Sequence, residues 1–261
     1  MPSVAPAVLE TRGLTRHFGG FTAVDGVDLA LAPGARHALI GPNGAGKTTL
    51  VNLLTGALRA SAGQVRLAGE DITALPQHLR VKRGLARTFQ VNQLFPDLPP
   101  VEAVSLALCE REGLTARWWG PVRAHAAVEA EAVELLAGLR FAPAEMAAPT
   151  RLLPYGRQRL LEIALALALK PRILLLDEPA AGVPPGESRE VLDTVAALPR
   201  DVTVLLIEHD MDLVFRFAER ITVLAQGAVL VEGTPEAVAR DPRVRQVYLG
   251  EAEEGAEAAH G

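Results

Sequence analysis

The sequence predicts an α/β fold, a core of short buried strands and helices with a helical insertion. Three observations predict it. Two short, almost wholly apolar runs, "RILLLDEP" and "VTVLLIEHD", end at charged residues and alternate with helical stretches, the pattern of strands buried on both faces of a parallel sheet. A glycine-rich segment, "GPNGAGKTT", stands between an apolar strand and a helix. Between residues 97 and 170 the chain turns Ala/Leu/Glu-rich, with Pro/Gly stretches separating helical segments.

Taken in order, the first seventy residues read as strands joined by turns. "VLETRGL" and "VDGVDLAL" carry the alternation or apolar density of strands, and Pro33-Gly34 marks a turn before the strand "RHALI". "KTTLVNLLTGALR" is helical in pattern, with Gly56 tolerated inside it, and "QVRLAG" is a further strand. "VEAVSLALCE", "AHAAVEAEAVELLAGL" and "RQRLLEIALALAL" are helices. After the two apolar runs come a helix near 211–219 and another strand, "ITVLAQGAVLVEG". No internal repeat is evident.

Composition narrows the function classes. At 261 residues, 49% apolar and 22% charged, the chain has the make-up of an ordinary globular protein with a sizeable core. A net charge of −5 gives no electrostatic reason to expect nucleic acid as a partner. The single cysteine, Cys109, cannot close an internal disulfide and fits a reducing compartment as a small buried hydrophobe. The start "MPSVAPAVLE" lacks the basic and apolar regions of a signal peptide. The longest apolar stretch is broken by Glu162, Lys170, Pro171 and Arg172, so it is not a membrane span. The tail "EAEEGAEAAHG", residues 251–261, reads as a disordered acidic end.

The chemistry starts with the glycine-rich segment. Gly41 to Thr49 match the phosphate-loop pattern, in the required strand–loop–helix setting. Glycines let the backbone wrap so that its N–H groups face phosphates. The candidate ligands are Gly41, Asn43, Gly44, Ala45, Gly46, Lys47, Thr48 and Thr49. Lys47 adds a cation, and the Thr48 hydroxyl suits Mg²⁺. "RILLLDEP" supplies a second half: Asp177, ending a buried strand, is placed for the Mg²⁺ shell, and Glu178 for deprotonating a water. Gln90 closes "GLARTFQ" and His209 follows "VTVLLIEH". Singly each reads as a loop residue; with the motifs above they point to a γ-phosphate sensor and a water-side ligand. Phe18, before a Gly pair, is either core or a platform for a base.

The ordered set of Phe18, "GPNGAGKTT", Gln90, "LPYGRQ", "LLLDEP" and "IEHD" resembles the nucleotide-binding subunit of an ABC transporter, over residues 8 to 250. "ARTFQ", "DEPAAG", "LLIEHDM" and "GTPEAVARDPRVRQVYLG" are similar to the ATP-binding subunits of branched-chain amino-acid importers. The resemblance implies a phosphate-loop ABC ATPase fold: a core parallel-containing sheet, an N-terminal antiparallel β layer and a helical subdomain across about 90–165. It implies ATP and Mg²⁺, with Mg²⁺ held by Thr48, Gln90 and Asp177. Glu178, His209 and Gln90 become the catalytic group and Phe18 a base platform. The Trp118-Trp119 pair is either a permease contact or internal packing.

In that family the helix opening at "LPYGR" serves the ATP of a second subunit stacked head to tail, and Gly156 keeps the family's key glycine. Two departures fall on that lent surface. Pro154 stands where serine is usual, losing a hydroxyl and an N–H. Pro184 stands where Asn or Asp is usual. Arg157, in place of glutamine, either compensates with its charge or is a solvated arginine. The expectation is an ATPase motor for import of branched-chain amino acids on the cytoplasmic face of the membrane. It would be paired with a different ATP-binding subunit, with permease subunits and, indirectly, with a substrate-binding protein. Uptake of urea or other amides, uptake of aromatic acids, and lipopolysaccharide export are the rival transport systems. A weakly hydrolysing regulatory subunit, and a soluble ABC ATPase acting on ribosomes or DNA, are the rivals outside transport.

Overall fold

A computed structural model of the chain describes residues 6–88, 94–113 and 122–248. Strands β1 (Leu9–Phe18), β2 (Phe21–Leu31) and β3 (Arg36–Ile40) come first, then helix α1 (Lys47–Thr55). Strands β4 (Ala62–Leu67) and β5 (Glu70–Asp71), helix α2 (Gln77–Lys82) and strand β6 (Leu85–Arg87) complete the N-terminal third. Four helices follow: α3 (Pro100–Arg111), α4 (Val122–Gly138), α5 (Pro143–Ala147) and α6 (Tyr155–Ala168). The remainder alternates as β7 (Ile173–Asp177), α7 (Pro185–Ala196), β8 (Thr203–Ile207), α8 (Met211–Phe217), β9 (Arg220–Ala225), β10 (Ala228–Gly233) and α9 (Pro235–Arg240).

Two sheets result. An antiparallel sheet runs β2-β1-β4-β5, and a six-stranded sheet runs β10-β9-β3-β8-β7-β6. In the larger sheet β9, β3, β8, β7 and β6 are parallel and β10 is antiparallel. The apolar runs are explained by what lies on each face. Ala38, Ile40, Leu174, Leu176, Val204 and Leu206 pack with α3, α4, α6, α7 and α8. The intervening Leu39, Ile173, Leu175, Leu205 and Ile207 pack with α1 and the antiparallel sheet. With both faces covered, period-two alternation has no polar half to show. The α/β expectation holds, as do the antiparallel N-terminal layer and the bank of helices that follows position 90.

Three local readings change. The first helix ends at Thr55, not past Gly56: Gly56 takes φ 79° and closes the helix as a left-handed cap. Buried Arg80 of α2 then donates to the carbonyls of Leu53 and Leu54, both at 2.7 Å, satisfying the negative end of α1. The segment "ITVLAQGAVLVEG" is two strands, β9 and β10, because Gln226 (φ 50°) and Gly227 (φ 83°) turn the chain between them. Short β6, inside "GLARTFQ", is not legible as a strand, because three residues carry too little period to declare one. Cys109 is half-buried on α3 and packs against the helical side of the core. The tail and Trp118-Trp119 lie outside the described residues.

One buried group ties stability to pH. His37 of β3 is 1% exposed, its Nε2 2.8 Å from Thr222 Oγ1, and burial lowers its pKa from 6.5 to about 4. Between those values the unfolded chain binds a proton that the folded chain refuses. Stability therefore falls as pH drops from about 6.5 toward 4, by up to ~3 kcal/mol from this group. Urea unfolding at pH 7 and pH 4.5 should show the loss, and His37→Gln should flatten it. An unchanged slope in the variant would remove His37 as its source.

Candidate nucleotide site

The register of the large sheet assembles the site. Leu39 lies opposite Ile207, and Ile207 lies opposite Asp177. The residues that follow, from Gly41 after β3, from Glu208 and His209 after β8, and Glu178 after β7, therefore leave one carboxyl edge of the sheet side by side. Loops at such an edge are where open α/β sheets place ligands.

The loop after β3 needs its glycines for close approach. A Cβ on Gly41 (φ 153°) would sit 2.3 Å from the carbonyl oxygen of Leu224, and one on Gly46 (φ 98°) 2.4 Å from that of Ala23. The second contact docks the loop on β2, whose hairpin with β1 presents Phe18. Gly46 is the N-cap of α1 and offers no side-chain acceptor, so the first-turn N–H groups of Lys47, Thr48 and Thr49 meet no side-chain cap. That is the arrangement in which a helix N-terminus receives an anion. Lys47 Nζ curls over the loop, donating to Gly41 O at 2.5 Å and Pro42 O at 2.8 Å. Asn43, Gly44 and Thr48 are exposed, Thr49 half-buried and Ala45 buried. Phe18 is 45% exposed, and the Arg16 guanidinium lies 4.5 Å over its ring, so Phe18 is a surface aromatic with one face occupied.

Opposite the loop stand the acids. Asp177 is buried and ion-paired to Arg87, Nη2 to Oδ2 2.5 Å. Glu178 adopts φ 48°, a left-handed conformation that costs a non-glycine residue energy and tends to occur at functional sites. Its N–H donates to Ile207 O at 2.9 Å, which holds the strained residue on β8. His209 is mostly exposed, with Nδ1 3.9 Å from Glu178 Oε1 and 3.7 Å from Glu208 Oε2. Asp210 caps α8 through the N–H groups of Asp212 and Leu213, so "IEHD" spans a strand end and a helix start with His209 between. Glu208 is 1% exposed; burial pushes its pKa up, while it accepts from Ala180 N at 3.1 Å and His209 N at 3.2 Å. Gln90 falls outside the described residues.

The remaining candidate, Gly156, lies in the first turn of α6. Pro154 is the helix N-cap. The Gly156 N–H is engaged by the chain's own Glu187, at 2.7 Å from Oε2. Arg157 is neither solvated nor free: it pairs with Glu145 and Glu190, each at 3.0 Å. Tyr155 OH accepts from Arg159 at 2.8 Å, and the same guanidinium reaches Ala181 O at 3.5 Å, so α6 and the loop before α7 are tied together. Sequence reasoning missed Arg87, Glu187 and Glu208. Only Glu208 carried a local signal, a carboxylate ending an otherwise apolar strand.

Comparison with known proteins decides the family. A family model described as "ABC transporter" matches residues 24–181. The chain belongs to the ABC transporter ATP-binding family. It is an ATPase cassette, and it binds nucleotide. A second model, "Branched-chain amino acid ATP-binding cassette transporter", matches residues 228–254 of the cassette. The cassette is 43% identical to the high-affinity branched-chain amino acid transport ATP-binding protein BraF of Pseudomonas aeruginosa, covering 94% of this chain and 98% of that one. It is 40% identical to LivG of Escherichia coli K12, a protein described in the same words, with the same coverage. Among solved structures, the ADP conformation of MJ1267, an ATP-binding cassette of an ABC transporter, matches with TM-score 0.81 and 31% identity over 94% of this chain and 99% of that one.

Proposed function

We propose that this cassette is the ATP-hydrolysing motor of a membrane importer for branched-chain amino acids. The convergence of the Lys47 loop, Asp177, Glu178 and His209 at one sheet edge carries the mechanistic part. The relatives' names and the carboxyl-terminal family match support the substrate. On this reading one domain spans residues 8–250, with the acidic tail beyond it.

The loop N–H groups and Lys47 bind the β- and γ-phosphates of ATP, while Phe18 offers its open face to the base. Glu178 takes a proton from the attacking water, and His209 and Gln90 hold the γ-phosphate and that water in line. The donor set at the uncapped start of α1 and the buried Asp177 suits a hard divalent cation. Thr48, Asp177 and Gln90 would hold Mg²⁺, which supplies charge neutralisation at the phosphates when bound. Closure takes a second ATP-binding subunit, whose helix equivalent to α6 covers this loop. The cavity of about 390 Å³ between β6, α2 and α6 is lined largely by apolar side chains such as Val81, Leu85, Leu94 and Leu165 and reaches Thr88. It suits a permease helix that would hold the cassette peripherally on the cytoplasmic face. Among the described residues no helix is long and apolar enough to cross a membrane. A substrate-binding protein delivers the amino acid from the far side.

A second reading, a regulatory cassette that lends its partner a poorly equipped start of α6, draws on specific contacts. Pro154 has no N–H, Gly156 gives its own to Glu187, and Arg157 is spent on Glu145 and Glu190. Pairing with a different subunit reconciles the two, leaving one strong and one weak ATP site. The substrate is tested by ATP-driven uptake into vesicles carrying the assembled complex. Labelled leucine should accumulate, whereas urea and aromatic acids should not. Uptake of either of these without leucine would overturn the assignment.

A further inference from the structure

Arg87 stands at the end of β6, opposite Leu175 in the ladder with β7, and none of the roles above uses it. Its guanidinium spans two elements of the site. Nη2 meets Asp177 Oδ2 at 2.5 Å, and Nη1 donates to Asn52 Oδ1 at 2.8 Å. The acid side chain is 2% exposed and the arginine 14%. Asn52 lies four residues after Thr48 on α1, so the two share a helix face. One rigid, planar group thus joins the α1 face that carries Thr48 to the carboxylate of Asp177, the two described residues assigned to Mg²⁺.

A buried carboxylate needs a counter-charge, and a lysine at position 87 would supply one. A lysine has no fork, however, and does not hold a carboxylate and an amide oxygen in fixed relation as a guanidinium does. The observed double anchorage therefore goes beyond neutralisation. It holds Oδ2 of Asp177 and Oδ1 of Asn52 in fixed relation, one on each arm of the guanidinium. The backbone supports the same end of the sheet, because the Thr88 N–H donates to Leu175 O at 3.0 Å.

We propose that Arg87 is a positioning residue that sets the orientation of Asp177 against the Thr48 face of α1, and through it the affinity of the site for its divalent cation. This rests on reading Asp177 as the Mg²⁺-side acid. Partners behind metal-ligating groups are commonly worth tenfold or more in metal affinity.

The experiment titrates Mn²⁺, standing in for Mg²⁺, into the full-length cassette loaded with ADP, following free Mn²⁺ by electron paramagnetic resonance. Arg87→Lys keeps the charge and removes the fork. Asn52→Leu keeps the Asp177 ion pair and removes only the second anchor. Both should melt near the parent temperature, bind ADP in EDTA as the parent does, and weaken Mn²⁺ binding, Arg87→Lys by about tenfold. Unchanged Mn²⁺ affinity in a folded Arg87→Lys overturns the proposal. If that variant does not fold, unchanged affinity in Asn52→Leu overturns it. A parallel fall of melting temperature and of ADP binding in EDTA, in both variants, also overturns it, since Arg87 would then be structural. Asp177→Asn separates the two levels. If it too leaves Mn²⁺ binding intact, the reading of Asp177 fails; if it alone weakens binding, only the role of Arg87 does.

Discussion

Glu178→Gln in this chain should lower steady-state ATP turnover of the assembled complex by roughly 10²- to 10⁴-fold, while equilibrium ATP binding stays intact. The range is that of a positioned general base removed without change of shape. The geometry makes the residue specific: Glu178 is held at φ 48° by its bond to Ile207 O, with His209 Nδ1 3.9 Å from its carboxylate. Glutamine fills the same space and accepts no proton. ATP hydrolysis measured beside binding of a fluorescent ATP analogue separates the two effects. Turnover within a few-fold of the parent would place the base elsewhere, with Glu208 next in line at 3.7 Å from the same histidine nitrogen.

Lys47→Ala should act on binding as well as turnover. The ammonium both answers phosphate charge and ties the loop to itself through Gly41 O and Pro42 O. A charge-assisted hydrogen bond is worth roughly 1.5–3 kcal/mol, so ATP affinity should weaken about ten- to hundredfold from that contact. Hydrolysis at fixed ATP should fall with it. Equilibrium dialysis of labelled ATP reads the affinity directly. An unchanged dissociation constant would remove the loop from the site.

What the sequence made legible follows from where the information is stored. The loop could be read because its chemistry is contiguous: a buried strand, glycines where a Cβ would strike the carbonyls of Leu224 and Ala23, then Lys47 and Thr48 on the helix start. The strands β7 and β8 were legible because burial of both faces leaves runs with no polar interruption until the edge, where Asp177, Glu178 and His209 stand. The contacts that were not legible are long-range. Arg87 meets Asp177 across 90 positions of chain, and Gly156 meets Glu187 across 31. Neither leaves a periodicity. Arg157 illustrates the same limit: its position suggested a phosphate-facing charge or a solvated one, and tertiary pairing with Glu145 and Glu190 chose neither. At Gly56 and at Gln226-Gly227, a local conformation decided against a longer element.

On the proposed function, the acids at this sheet edge hydrolyse ATP only when a second subunit closes over the Lys47 loop. The most direct test is ATP turnover per molecule of the purified cassette, followed from nanomolar to micromolar protein, with Glu178→Gln as the blank. Turnover per molecule should be negligible at the dilute end and should rise when the chain pairs, either with itself at high concentration or with an added partner ATP-binding subunit. A constant turnover per molecule down to the lowest concentration, well above the blank, would mean that one cassette is a complete enzyme and that closure by a second subunit is not required.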